Sequence, residues 1–376
     1  MSVPDVNVTP SEGRPFWYAA AGRGLELAFL FFAAGLLVFY GQLPPLRQQQ
    51  VHEVTRVFLG ILFEALPFML LGSLVGGLIE VFVSPERLSA LISGRKRRSV
   101  LVAAAMGVIF PVCECAIVPV VRRLVRKGAP LSAAVAYLLA GPIVNPIVAA
   151  STLVAYNGWA MVAARVGMGY VIAVIVGLVT GKVFSAEQAI VPQARAGHGH
   201  DHEHERGQEP GHDGSCCGGQ AGTVRLGGKL LEAVRHAAGD FLDVGRFLVI
   251  GAFIAGVLRT LIGQDQVMAY GHSGVGSTVS MMGLAFVLNL CSEADAFVAA
   301  SFRGMVSVTG QLAFLVLGPM LDVKLVMMYL GLFRKRAILA LVFLIAGSVF
   351  LATALYGVIL EAIELWALYA KSASVL

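Results

Sequence analysis

Residues 100–121 read VLVAAAMGVIFPVCECAIVPVV. The run is apolar enough for a spanning helix, but Pro111 and Pro119 each remove a helical hydrogen bond, and Glu114 sets a carboxylate between Cys113 and Cys115. A straight helix does not fit this pattern, so the chain is expected to break near its middle. Backbone groups freed there must be satisfied inside protein, because lipid offers them no partner. Residues 131–156 repeat the motif with Gly141-Pro142 and Asn145-Pro146, and residues 308–332 repeat it with Gly318-Pro319.

The rest of the chain agrees with a membrane setting. Of 376 residues, 57% are hydrophobic and 14% charged, and the mean hydropathy is +0.78. A spanning helix needs about 20 mostly apolar residues, and such stretches recur at 25–43, 57–83, 159–184, 241–262, 275–300 and 337–361. The net charge of +5 sits in short loops beside these runs, as cytoplasmic loops do, which speaks against a nucleic-acid partner. The predicted fold is therefore an all-α polytopic membrane protein. It has a cytoplasmic tail at 1–24, a first transmembrane half at 25–184, a His/Cys-rich cytoplasmic loop at 185–235 and a second half at 236–376.

The halves are related. Glu64, Phe68, Gly72 and Gly77 match Asp243, Phe247, Gly251 and Gly256 at one offset. Cys113 matches Cys291 after a slip of one residue, and Gly141, Pro142 and Asn145 match Gly318, Pro319 and Asp322 after one more. Arg95 to Arg98 precede the Cys113 segment, and Arg122, Arg123, Arg126 and Lys127 follow it, so both its ends are expected on the cytoplasmic side. The matching region of the second half lacks such clusters. Three spans and one re-entrant hairpin per half would invert the second copy, the plan of many secondary transporters. A full crossing by the cysteine segments is the alternative.

Several residues carry chemistry. Glu114 with Cys113 and Cys115 offers hard and soft donors at a helix break, which suits a soft metal or metalloid; the structural alternative is that the cysteines are packing residues. Cys291, Ser292, Glu293 and Asp295 place a thiol, a hydroxyl and two carboxylates at the corresponding tip. Asn145 and Asp322 stand four residues after the Gly-Pro breaks, where a side-chain oxygen could coordinate a cation or cap the second half-helix. Glu64 and Asp243 lie within spans, where proton coupling and a polar contact between helices are both open.

The polar segment carries His198, His200, His202, His204 and His212 with Cys216 and Cys217. These are competent ligands for zinc or copper in a metal-capturing loop, although their spacing fits no fixed zinc fold. No cofactor is required by any motif, and no phosphate loop or hydrolase elbow is present.

The motif at 110–115 with Pro119, the Arg-Lys-Gly run at 126–128, Gly141-Pro142 with Asn145-Pro146, and Cys291-Ser292 with the run at 318–322 resemble the predicted permeases of the YraQ type. That family includes the ArsP organoarsenical efflux permeases and proteins proposed to export copper or zinc. The resemblance implies a bacterial inner-membrane permease with the Cys113 and Cys291 regions as signature sites. The expected function is secondary efflux of a small soft-ligand solute: a metal ion, a metalloid or an organoarsenical. Two other readings remain open, a membrane metal sensor or scaffold that does not transport, and an intramembrane thiol oxidoreductase.

Overall fold

The computed structural model describes residues 45–82, 96–110, 112–191, 226–261 and 274–373. Residues 1–53 form a separate unit of which only the start of the first long helix is described, and residues 54–376 form the unit discussed below. The N-terminal tail, the apolar run at 25–43, Pro111, and the histidines and cysteines of the 198–217 segment lie outside the described residues.

The described chain is helical, with no named strand. The first half runs α1 (Pro45–Phe82), α2 (Lys96–Ala105) with a short 3-10 turn (Met106–Val108), α3 (Glu114–Arg126), α4 (Leu131–Ala140), α5 (Pro146–Tyr156) and α6 (Trp159–Val183). After the small α7 (Ala186–Ala189), the second half runs α8 (Leu226–Leu261), α9 (Gly274–Leu288), α10 (Ala294–Ser301), α11 (Val308–Leu317), α12 (Val323–Tyr329) and α13 (Lys335–Ala373). The order long, two broken pairs, long thus occurs twice. Helix α8 begins inside the stretch assigned from sequence to the polar loop.

Among the described residues, four helices, α1, α6, α8 and α13, are long and apolar enough to cross a membrane. The others are half-helices; α4, with 10 residues, rises only about 15 Å. Two of the breaks fall at Gly-Pro pairs, whereas the one between α9 and α10 has neither residue and turns at Asn289. Gly141 ends α4, Asn145 caps α5 by accepting from the Ile147 amide at 2.9 Å, and Pro146 opens α5 with the fixed φ of a first helical position. Gly318 ends α11, and Asp322 caps α12 through the Leu325 amide at 2.5 Å. The capping role proposed for Asn145 and Asp322 is therefore realised.

Pro119 corrects an expectation. It lies inside α3, which runs unbroken from Glu114 to Arg126. The turn precedes the helix, so Pro119 costs one bond to the Cys115 carbonyl and no change of direction, in a helix buried on nearly all sides.

Packing is set by small residues, as expected where helices associate by close fit rather than by expulsion of water. A Cβ on Gly77 would lie 2.3 Å from the Ala233 carbonyl oxygen, and one on Gly256 would lie 3.1 Å from that of Val54. Positions 77 and 256 match in the repeat, as do 54 and 233. The two contacts are mirror copies of each other and make α1 and α8 antiparallel.

Candidate functional site

Glu114 opens α3, with Cys113 as its N-cap. Its side chain is 1% exposed, and both its oxygens are engaged. Ser292 donates its hydroxyl to Oε2 at 3.2 Å, and the Lys324 ammonium donates to Oε1 at 3.3 Å. Lys324 also lies 3.6 Å from Asp322. A buried carboxylate is tolerated only with such partners. Here they come from the other half of the chain, so the breaks before α3, α10 and α12 meet at one point.

Asn289 holds Lys324 in place. It ends α9 in the left-handed region at φ 51, a conformation asparagine tolerates better than most residues. Its side-chain oxygen accepts from the Lys324 amide at 2.8 Å while its amide donates to the Phe286 and Val287 carbonyls.

A second buried charge lies beside this cluster. Arg165, in the second turn of α6, is fully buried. It donates to the Ser292 carbonyl at 2.8 Å, to Thr152 Oγ1 at 2.8 Å and to the Leu315 carbonyl at 3.2 Å. One guanidinium thereby ties α6 to the α9–α10 break, to α5 and to α11, using its planar fork of donors. Asp295 lies nearby, 2% exposed.

Around Glu114 is a small, partly open pocket. Its walls are Cys113, Cys115, Cys291, Glu64, Glu114 and Lys324, with Ile61, Ala65 and Phe68 from α1. Cys113 and Cys115 are buried and Cys291 is partly exposed; all three are free thiols. The Cys291 sulfur accepts from the Ala294 amide at 3.4 Å. Glu293 receives a long 3.5 Å contact from the Ser292 hydroxyl.

The structure thus brings together most of the residues singled out from sequence. Cys113, Glu114, Cys115, Cys291, Ser292 and Asp322 converge, with Glu64 on the pocket rim. Asn145 stays at its own cap. Asp243 belongs elsewhere: it accepts from Arg122 at 3.0 Å, beside Asp240, which pairs with Arg123 and lies 3.7 Å from Arg122. Arg122 and Arg123, read from sequence as loop charges, are buried. Sequence reasoning missed Arg165 and Asn289. Arg165 had a usable signal, an arginine isolated in an apolar span. Among the described residues no group of three or more His, Cys, Asp or Glu is arranged to hold a metal ion.

Long apolar helices around four broken ones, with a charged pocket where the breaks meet, define a multi-pass membrane transport protein. The chain belongs to the predicted permease family ArsP_1, which it matches over residues 50–358. It is 40% identical over 307 residues to the UPF0718 protein YcgR of Bacillus subtilis (strain 168), covering 80% of this chain and 97% of that one. It is 33% identical over 293 residues to the putative two-component membrane permease complex subunit of Streptococcus mutans, covering 78% of this chain and 91% of that one. No solved structure matches the chain.

Proposed function

We propose that this permease is a secondary exporter of a small soft-ligand solute, which binds in the pocket between Cys113, Glu114, Cys115 and Cys291. The observation that carries the reading is that three free thiols and a carboxylate–lysine pair, drawn from both halves, line one pocket at the meeting of the breaks. Thiols give affinity for a metal ion, a metalloid or an organoarsenical. A metal-ion cargo would require the donors to close around it, whereas a thiol-reactive organic solute would also use the apolar wall of Ile61 and Phe68.

The antiparallel, self-matching contact of α1 with α8 supports an inverted repeat. Rocking of one repeat against the other would then expose the pocket to each side in turn. In this reading the protein lies in the bacterial inner membrane with its N-terminus and His-rich loop in the cytoplasm. The loop's histidines and cysteines would collect zinc or copper, and the solute would be released from the protein chemically unchanged. The Streptococcus mutans relative is named as a complex subunit, so a second protein is proposed as partner here too.

The test is accumulation in everted membrane vesicles of zinc, copper, arsenite and methylarsenite, with and without a proton gradient. Gradient-driven accumulation of one of these, lost in Cys113→Ser and in Glu114→Gln, is expected. Accumulation that survives both substitutions would remove the pocket from the path, and no accumulation of any solute would refute the exporter reading.

A further inference from the structure

One difference between the two halves stands out, at the equivalent positions Ile117 and Asp295. Ile117 and Asp295 both donate their backbone amides to the cysteine four residues earlier, Ile117 to Cys113 at 3.1 Å and Asp295 to Cys291 at 3.0 Å. Both side chains enter a glycine notch at the neighbouring break. A Cβ on Gly141 would lie 2.3 Å from Ile117 Cδ1 and 3.0 Å from the Tyr137 carbonyl oxygen; a Cβ on Gly318 would lie 2.7 Å from Asp295 Oδ2 and 3.3 Å from the Phe314 carbonyl oxygen. The notches are the same, but one is filled by a methyl group and the other by a carboxylate oxygen.

Packing does not account for the carboxylate. The first half shows that an isoleucine fills such a notch, and Asp295 is 2% exposed with Oδ2 making no hydrogen bond. A buried polar oxygen without a partner is costly, and at membrane depth an ionisable group marks a functional path by default.

The charged groups facing Asp295 come from three elements: Arg165 on α6, Glu114 on α3, and Asp322 with Lys324 at the start of α12. The helices packed directly on α10, α5 and α11, carry no charged residue. Their one titratable side chain, Tyr156, is occupied by Gln311 at 2.9 Å and by the Arg303 guanidinium over its ring. Arg165 holds the Ser292 carbonyl three residues before Asp295, and Ser292 in turn holds Glu114. Two hydrogen bonds therefore lead from Arg165, the cation whose charge bears most on Asp295, to Glu114 in the solute pocket.

We propose that Asp295 is the proton-carrying group of the permease, neutral in one state of the cycle and ionised against Arg165 in the other. This rests on the permease reading above. The proton enters from the side with the higher proton concentration, resides on Oδ2, and is released to the opposite side when the Gly318 notch opens. Ile117 in the first half holds the matching notch shut.

Infrared difference spectra of the purified full-length protein between acid and alkaline buffer test this without any solute. The wild type should show a carboxyl band that titrates, absent in Asp295→Asn and retained in Glu114→Gln. A band unchanged in Asp295→Asn would overturn the assignment, whether or not the protein transports. A band that sodium removes, where choline does not, would make Asp295 a sodium site and also overturn it. In vesicles, with methylarsenite as probe, Asp295→Ile should lose accumulation driven by a proton gradient and keep exchange of labelled for unlabelled probe, and Asp295→Glu should recover the driven component. Undiminished driven flux in Asp295→Ile would reduce the residue to packing, as at Ile117. Absence of flux in the wild type would count against the exporter and leave the infrared result standing for the carboxyl.

Discussion

Ser292 donates its hydroxyl to Glu114 at 3.2 Å across 178 positions of sequence, and these are the residues that the match of Cys113 with Cys291 makes equivalent. The contact joins one position of each cysteine segment, Glu114 at the start of α3 and Ser292 just before α10. Because Lys324 closes the other oxygen of Glu114 and also lies 3.6 Å from Asp322, the pocket is built around a lysine shared by two carboxylates.

Removing Lys324 strands the buried Glu114 and Asp322 carboxylates together, whereas removing Glu114 leaves Lys324 paired with Asp322. Lys324→Met should therefore destabilise the protein by about 3–5 kcal/mol, Glu114→Gln by less, and the double variant by less than the sum. Thermal unfolding of the four proteins in one detergent measures this. Additive losses would show that the two groups do not depend on each other.

Arg165 serves acceptors on three separate segments, which a lysine ammonium with its single point charge cannot all reach. Arg165→Gln should therefore unfold well below the wild type, with Arg165→Lys between them. Only Arg165→Lys is expected to retain some solute flux. Equal stability of all three proteins would mean that Ser292, Leu315 and Thr152 are held by packing alone.

The sequence made some of this legible because the relevant signals are local. Gly141-Pro142 and Gly318-Pro319 put two poor helix formers side by side, so those two breaks could be read from residue type, while the one before α10 could not; a carboxylate such as Glu114 inside an apolar run has few innocent explanations. Pro119 misled because a proline tells of a lost hydrogen bond and not of where the chain turns. The ion partners of Glu114, Asp240 and Arg122 were not legible. They lie more than 100 residues away, and a buried pair leaves no trace in sequence beyond the charges themselves. The matching of Ile117 with Asp295 needed the shared glycine notch to be seen.

Thiol access offers a third check. With Cys216→Ser and Cys217→Ser in place, a maleimide should label Cys291 first, because it is partly exposed while Cys113 is 8% and Cys115 3% exposed. Methylarsenite bound in the pocket should slow that labelling. Labelling of Cys115 ahead of Cys291, followed by mass spectrometry, would show that the pocket opens from the α3 side.

The glycines of α1 separate close approach from ordinary helix propensity. A Cβ on Gly72 would sit 2.4 Å from the Ala116 carbonyl oxygen and 2.7 Å from its Cα, so the clash is with backbone and cannot be relieved by a rotamer. Ala116 follows Cys115, so pushing α1 from α3 would also widen the pocket wall that carries Phe68. On Gly60, one helix face away, a Cβ meets nothing within 4 Å. Gly72→Ala should therefore cost about 1–3 kcal/mol through the forced shift, while Gly60→Ala should be neutral or stabilise by up to about 1 kcal/mol. Melting temperatures of the two variants in the same detergent should move in opposite directions or differ clearly in size. If Gly72→Ala melts with Gly60→Ala, α1 does not pack on α3 as closely as the structure has it, and the pocket loses its α1 wall.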